Sequence, residues 1–383
     1  MVIEMKKLPS YCLKALKKLK EHGFEAYAVG GCVRDSIMNL TVHDVDITTS
    51  ATSEEIENTF PHSVRTGGKY FTVTVFIDGN PIEITPFRKE GDYTDARRPD
   101  SIEVASTLAE DISRRDFTVN SICFDGEKII DLLNGENDIK EKIIRCIGSP
   151  DLRFQEDALR IMRAFRFSAG LGFQIEENTF RAALDSAWLL KKISLERIFE
   201  ELIKILLTDT PEILLPLFQT GAFDFISLKP FNELEMLKTL AKTKESRLAG
   251  FFEFSGRPSL SSLPISKALK RYITNVFFVV DNFPAERKSE IKQLLKLVEP
   301  AEFLTAYDIR RIKGIPESAH RSLLEEIVKN REPYRIAHLA ISGGDLFQRG
   351  LRGAAIKEAL NMMLDTVIIS PELNTKTQLL NMI

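Results

Sequence analysis

The stretch YAVGGCVRDSIMNLTVHDVDITTS, from Tyr27 to Ser50, carries the pattern on which the fold turns. Its first residues continue an alternating run, EAYAVGG, that predicts a strand ending at Gly30 and Gly31, and CVRDSIMNL then predicts a helix. Glycine before a helix lets backbone amides approach a ligand, and the helix start adds free N–H groups and the positive end of its dipole, which together suit a phosphate. A plain structural turn satisfies the same two glycines. Arg34, one turn into the helix, adds a permanent positive charge. In HDVDIT, Asp44 and Asp46 are two apart, so on a strand they share a face and their like charges ask for a cation. An edge strand with two solvated aspartates is the plainer alternative. Glu83 in NPIEITPFR is a further acid on a β-prone run, and this segment alone leaves its role open.

The rest of the chain sets bounds on these readings. With 383 residues, 44% hydrophobic and 28% charged, the chain is predicted to form a globular protein with more than one core. Its net charge of -3 gives no overall signature of a nucleic-acid binder, so any basic surface is local. Cys12, Cys32, Cys123 and Cys146 lie far apart, which argues against a zinc knot or a disulfide framework and fits a reducing cytoplasm. The lysine-bearing start MVIEMKKLPSYCLKALKKLKEHGF has the spacing of an amphipathic helix rather than a signal peptide, and no apolar run approaches the ~20 residues of a membrane span. β-prone runs (VDITTS, FTVTVFI, PIEITPF, FTVNSICF, KIIDLL) are confined to residues 1 to about 140. Helical periodicity broken at sites such as TDTPEI, SGRPSLSSLP and KGIPES follows, so the expected class is α+β, a mixed head before a long helical body.

Further along, EDALRIMRAFRF predicts one helix with Glu156, Asp157, Arg160 and Arg163 on one side and Leu159, Ile161, Met162 and Phe165 on the other, Arg166 sitting nearer the apolar side. A surface helix with a Glu156–Arg160 ion pair would look the same. GGCVRD, DVDITTSATSEEI, RRDFTVNS and EDALRIMRAFRF, in this order, resemble the tRNA nucleotidyltransferase and bacterial poly(A) polymerase family of the DNA polymerase β superfamily, and most of all its bacterial class II CCA-adding members. The resemblance implies a polymerase β-like head at 1–140, a helical neck at 141–207 that reads the nucleotide base, a helical body at 208–300 and a helical tail at 301–383 that binds tRNA.

It also implies an activity: template-independent addition of C, C and A to the 3′ end of tRNA from CTP and ATP. On this resemblance Asp44 and Asp46 would hold catalytic Mg²⁺, with Glu83 the third carboxylate. Gly30, Gly31, Arg34 and Arg115 would meet the triphosphate, and Asp116 with Asn120 the ribose. Asp157 with Arg160 would contact the base edge, where cytosine and adenine both set an amino donor beside a ring-nitrogen acceptor. Arg163 and Arg166 would line the same site. EGDYTDARRPDSIEV is rich in turn formers, and Asp95, Arg97 and Arg98 match the loop that helps relatives switch from C to A addition.

Lys229 to Pro300 carry 13 basic and 8 acidic residues, a local excess compatible with RNA or with a solvated helical face. In the tail, Gly343, Gly344, Gly350 and Gly353 with Arg349 and Arg352 suit phosphate contact or simple helix ends. His43 reads as incidental. The alternatives within the family are A-adding, CC-adding and poly(A)-making enzymes; a catalytically silent RNA-binding protein on the same fold would be expected to lack a carboxylate or a base reader.

Overall fold

The structure is a computed structural model that describes residues 8–66, 71–91, 102–316 and 318–383. Asp95, Arg97 and Arg98 lie outside the described residues. The chain divides into two compact units, Met1–Pro230 and Phe231–Ile383.

The strands of the first unit are β1 (Ala26–Val29), β2 (Asp46–Thr49), β3 (Ser63–Arg65), β4 (Val73–Ile77), β5 (Asn80–Pro86), β6 (Arg88–Glu90), β7 (Ile102–Val104), β8 (Cys123–Phe124), β9 (Ile129–Ile130), β10 (Ile143–Ile144) and β11 (Gln174–Ile175). Its helices are α1 (Ser10–Glu21), α2 (Gly31–Ile37), α3 (Ser53–Thr59), α4 (Leu108–Ser113), α5 (Gly135–Glu141), α6 (Pro150–Glu156), α7 (Leu159–Leu171), α8 (Glu177–Asp185), α9 (Leu195–Leu206) and α10 (Leu215–Gln219). Seven strands form one sheet in the order β3-β4-β5-β2-β1-β8-β9. The β2–β5 pair is parallel and its other pairs are antiparallel, so the sheet is mixed.

Alternation decides which side of the sheet is wet. In β5, Ile82 and Ile84 are buried and Glu83 is exposed; β2 does not alternate, for only Asp46 at its start reaches the cleft surface while Ile47, Thr48 and Thr49 are all buried. A two-residue turn, Asp78 (φ 52°) and Gly79 (φ 77°), joins β4 to β5 with Ile77 opposite Asn80. Positive φ at both positions is the hairpin geometry that matches strand twist, and aspartate and glycine tolerate it. One apolar cluster packs the sheet against Cys12, Ala15, Leu16 and Leu19 of α1 and also takes in Ala164 and Phe167 of α7. Each fully buried leucine of this kind contributes about 1.5–3 kcal/mol.

Two sequence expectations change. FTVNS is not a strand: Phe117 makes a single bridge to Cys146, and Thr118–Asn120 form a 3-10 turn. That turn brings Asn120 back within reach of Asp116. Nor is EDALRIMRAFRF one helix. α6 stops at Glu156, Asp157 is extended (φ -135°, ψ 100°), and α7 begins at Leu159 after the Asp157 carboxylate accepts from its N–H (3.1 Å). A side chain that competes for backbone donors ends one helix and starts the next.

The α5 start leans directly on the 3-10 turn. A Cβ at Gly135 would lie 2.3 Å from the Thr118 carbonyl oxygen and 2.9 Å from Ile122 Cγ1, so Gly135→Ala must displace backbone. We expect it to destabilise the protein by about 1–3 kcal/mol, seen as a lower urea midpoint at unchanged slope.

The second unit is helical: α11 (Lys244–Phe254), α12 (Lys267–Asp281), α13 (Lys288–Leu295), α14 (Pro300–Ile312), α15 (His320–Lys329), α16 (Gly343–Gln348), α17 (Ala354–Ile369) and α18 (Lys376–Leu380). Arg247 is fully buried and donates to the carbonyls of Leu240 (3.2 Å) and Lys238 (2.9 Å). At the chain's end Leu346, Met363, Leu364 and Val367 form a separate core. Gly343 opens α16, where an added Cβ would press on Ile356 (3.2 Å), and Arg352 donates to the Phe347 carbonyl (2.6 Å) and lies over its ring. No helix among the described residues is long and apolar enough to cross a membrane.

Candidate active site

A cleft of about 1050 Å³ opens in the first unit. All the site residues expected from the sequence outside the 95–98 loop line it: Gly30, Gly31, Arg34, Asp44, Asp46, Glu83, Arg115, Asp116, Asn120, Asp157, Arg160, Arg163 and Arg166. His43 lines it as well.

The acidic wall comes from strand register. Parallel pairing sets Asp46 of β2 directly beside Glu83 of β5, so their side chains share a face. Asp44 precedes β2 rather than lying within it, so the strand-borne pair is Asp46 with Glu83 and not Asp44 with Asp46. The Asp46 carboxyl is pushed up to about 6, first by desolvation between the cleft walls and then by the negative charge of Glu83 and, less, of Asp44, with Arg115 opposing. Gly30, at φ 82°, starts α2 against this wall: a Cβ there would sit 3.8 Å from Asp46 Oδ2 and 3.8 Å from Arg115 Nη1. These would be ordinary contacts, so it is the positive φ, rather than lack of room, that calls for glycine here.

A carboxyl crowded by neighbouring carboxylates is short of positive charge, and the donor set here, oxygen only, suits a hard divalent cation. Among the described residues no group of three acidic, histidine or cysteine side chains forms a ready cation cage. An ion here would complete its shell with water and substrate oxygens, which is the usual situation for such ions beside phosphates.

The opposite wall is a chain of guanidinium and carboxylate groups. Arg34, 7% exposed, donates to Asp35 (2.7 Å) and to Asn120 Oδ1 (2.5 Å); Asn120 Nδ2 donates to Asp116 (3.1 Å); Asp116 also accepts from Arg163 Nε (2.8 Å). Burial raises the Asp116 pKa, but Arg163 and Asn120 outweigh it and hold the carboxyl down at about 2. Arg34 and Arg163 each lie 5.2 Å from the Phe167 ring centre and Arg166 lies 3.8 Å from it. Arg166 also pairs with Glu201 of α9.

Asp157 and Arg160 are joined through the backbone, the Arg160 N–H donating to the Asp157 carbonyl (3.0 Å), while their side chains have different described partners. Asp157 accepts from Arg197 of α9 (3.0 Å), whereas Arg160 donates to Glu156 (2.8 Å) and to the Arg114 carbonyl (2.8 Å). The Glu156–Arg160 pair that the sequence also allowed is therefore real. It belongs to a buried arginine, 7% exposed, rather than to a surface helix.

Sequence reasoning missed two contributors. Arg197, forty residues from Asp157, offers no local signal. Asp111, 0% exposed, sits behind the cleft and accepts from Thr48 Oγ1 (3.0 Å), Arg88 N (3.3 Å), Arg114 Nη2 (2.6 Å) and Arg115 Nη2 (3.2 Å). It ties the strand of Asp46 to the two arginines of RRD. Helical spacing i, i+3 and i+4 in DISRR was the available signal. Asp111→Asn leaves two arginines short of their buried counter-charge, so we expect a loss of about 3–5 kcal/mol by urea unfolding.

A polymerase-like mixed head whose cleft sets strand carboxylates against arginines defines a nucleotidyltransferase, and residues 26–145 match the family described as "Poly A polymerase head domain". Residues 172–231 match "Probable RNA and SrmB- binding site of polymerase A". A CCA-adding enzyme of Lactobacillus helveticus is 36% identical over 96% of this chain and 96% of its own, and one of Staphylococcus saprophyticus is 33% identical over 95% of both. The chain belongs to the CCA-adding enzyme family. The crystal structure of the Bacillus stearothermophilus CCA-adding enzyme in complex with CTP superimposes with a TM-score of 0.80 at 29% identity, over 96% of this chain and 94% of that one. Nucleotidyltransferases of this kind depend on metal.

Proposed function

We propose that this protein adds C, C and A to the 3′ end of tRNA from CTP and ATP, releasing pyrophosphate and using no nucleic-acid template. The observation that carries this reading is the alignment of Asp46 with Glu83 beside Gly30, in a cleft that also holds Asp157 and Arg160, within a chain similar over 96% of its length to a CCA-adding enzyme.

In this reading Gly30, Gly31, Arg34 and Arg115 receive the triphosphate. The side-chain Nε of Arg115 is buried and has no hydrogen-bond partner among the described residues, which supports an anion arriving there. Asp116 and Asn120, locked by Arg163 and Arg34, present oxygens to the ribose. Asp157 and Arg160 contact the base, with Arg197 holding the carboxylate in place, so the protein itself selects the nucleotide; Arg163 and Arg166 complete that wall. Asp44, Asp46 and Glu83 would hold Mg²⁺, which when bound supplies charge neutralisation at the phosphates and acidifies the attacking hydroxyl. Positioning then accounts for most of the rate, because in-line displacement asks little else of a protein.

The head at 1–140, neck at 141–207, body at 208–300 and tail at 301–383 extend the same proposal, as does a cytoplasmic setting, which suits four free, buried cysteines. The test is to incubate the protein with tRNA lacking its last one, two or three nucleotides, supply each labelled nucleotide separately, and measure product length. CCA addition gives C, C, then A and stops. A long adenosine tail, or arrest after CC, assigns a narrower member of the family.

A further inference from the structure

The chain has one tryptophan, Trp188, and it is 56% exposed. It stands on the 3-10 helix Ala187–Lys192, where Ala187, Leu189 and Leu190 are buried and so direct the indole outward. Three residues per turn place Lys191 on the face of Trp188, and Lys192 follows. Both ammonium groups lie 5.5 Å from the centre of the indole ring. Neither lysine has a carboxylate within ion-pair distance among the described residues, in a protein whose net charge is negative. An exposed aromatic plane flanked by two cations with no described carboxylate partner is complementary to a polyanion with stackable faces.

Position narrows the partner. The patch lies within residues 172–231, and nine residues further on Arg197 of α9 lines the cleft, which puts the two at most about 30 Å apart. We propose that Trp188, Lys191 and Lys192 form a docking point for the RNA substrate outside the cleft, the lysines on phosphates and the indole against a base or ribose. This rests on the reading that the protein acts on RNA.

A sole tryptophan makes the test direct. Titrating the full-length protein with tRNA lacking its terminal adenosine should quench tryptophan emission to saturation. Lys191→Glu with Lys192→Glu should raise KM for that tRNA by about 10-fold at unchanged KM for ATP, and flatten the dependence of log affinity on log salt by roughly 1.5. Trp188→Phe should keep the affinity and Trp188→Ala should lose it, although both are dark; a merely structural indole would instead lower thermal stability in Trp188→Ala without moving tRNA affinity. Unchanged emission, or KM for tRNA within twofold of the parent in the double variant, overturns the proposal. Equal quenching by polyglutamate at the same charge also overturns it and assigns an acidic peptide instead. If the parent binds tRNA with quenching but incorporates no nucleotide, the docking point stands and the catalytic reading fails; normal incorporation with silent emission keeps the catalytic reading and removes the docking point.

Discussion

Asp46→Asn should lower incorporation of both CMP and AMP by on the order of 10³-fold while leaving tRNA affinity unchanged. The reason is the crowding of Asp46 by Glu83: a neutral amide in that position relieves the repulsion, so the site no longer draws a cation. The same crowding gives a pH signature. Because the folded pKa is raised to about 6, the protonated form is the favoured one in the cleft; the group contributes stability below the ordinary carboxylate range, and that contribution is lost as pH rises through 6. Cation binding requires the opposite form. Divalent-ion affinity, measured by calorimetry with Mg²⁺ alone, should therefore weaken about tenfold per pH unit below 6 in the parent, and Asp46→Asn should show no such binding at any pH. Parental turnover by that variant would remove the basis for assigning the carboxylates to a metal.

The second large effect is expected in selectivity. Asp157→Ala combined with Arg160→Ala should reduce the preference for CTP and ATP over UTP and GTP by about 10²-fold or more, and should alter tRNA affinity much less. The structure adds a control that the sequence alone did not offer. Arg197→Ala frees Asp157 from its only described guanidinium partner while leaving both readers in place, so it should blunt discrimination less than the double variant. Competition assays with all four nucleotides measure this. Should the double variant reject UTP and GTP as well as the parent does, base reading must reside elsewhere in the cleft.

What the sequence disclosed divides along physical lines. Residues placed by local spacing were legible: the glycines before α2 and Asp46 reach the cleft, as does Arg115, which the resemblance supplied. The helical wheel drawn through EDALRIMRAFRF failed at one residue, because Asp157 satisfies a backbone N–H with its own side chain and breaks the periodicity on which the wheel depends. Partners set by tertiary packing were invisible. Neither Arg197 with Asp157 nor Thr48 with Asp111 can be inferred from neighbours in the chain. Glu83, undecided on its own segment and singled out only through the resemblance, is set beside Asp46 by a parallel register that the sequence does not display.

That register has a gauge at its far end. Asp78 and Gly79 close the β4–β5 hairpin with no slack, and Glu83 follows Gly79 by four residues. Hairpin tips are ordinarily where chains absorb insertions and deletions without harm. Here a single added residue would let β5 slide one step, turn an acid toward the interior and leave isoleucine facing the cleft. Variation in the length of this small surface loop should thus extinguish chemistry some distance away, making the tip one of the least forgiving places in the head.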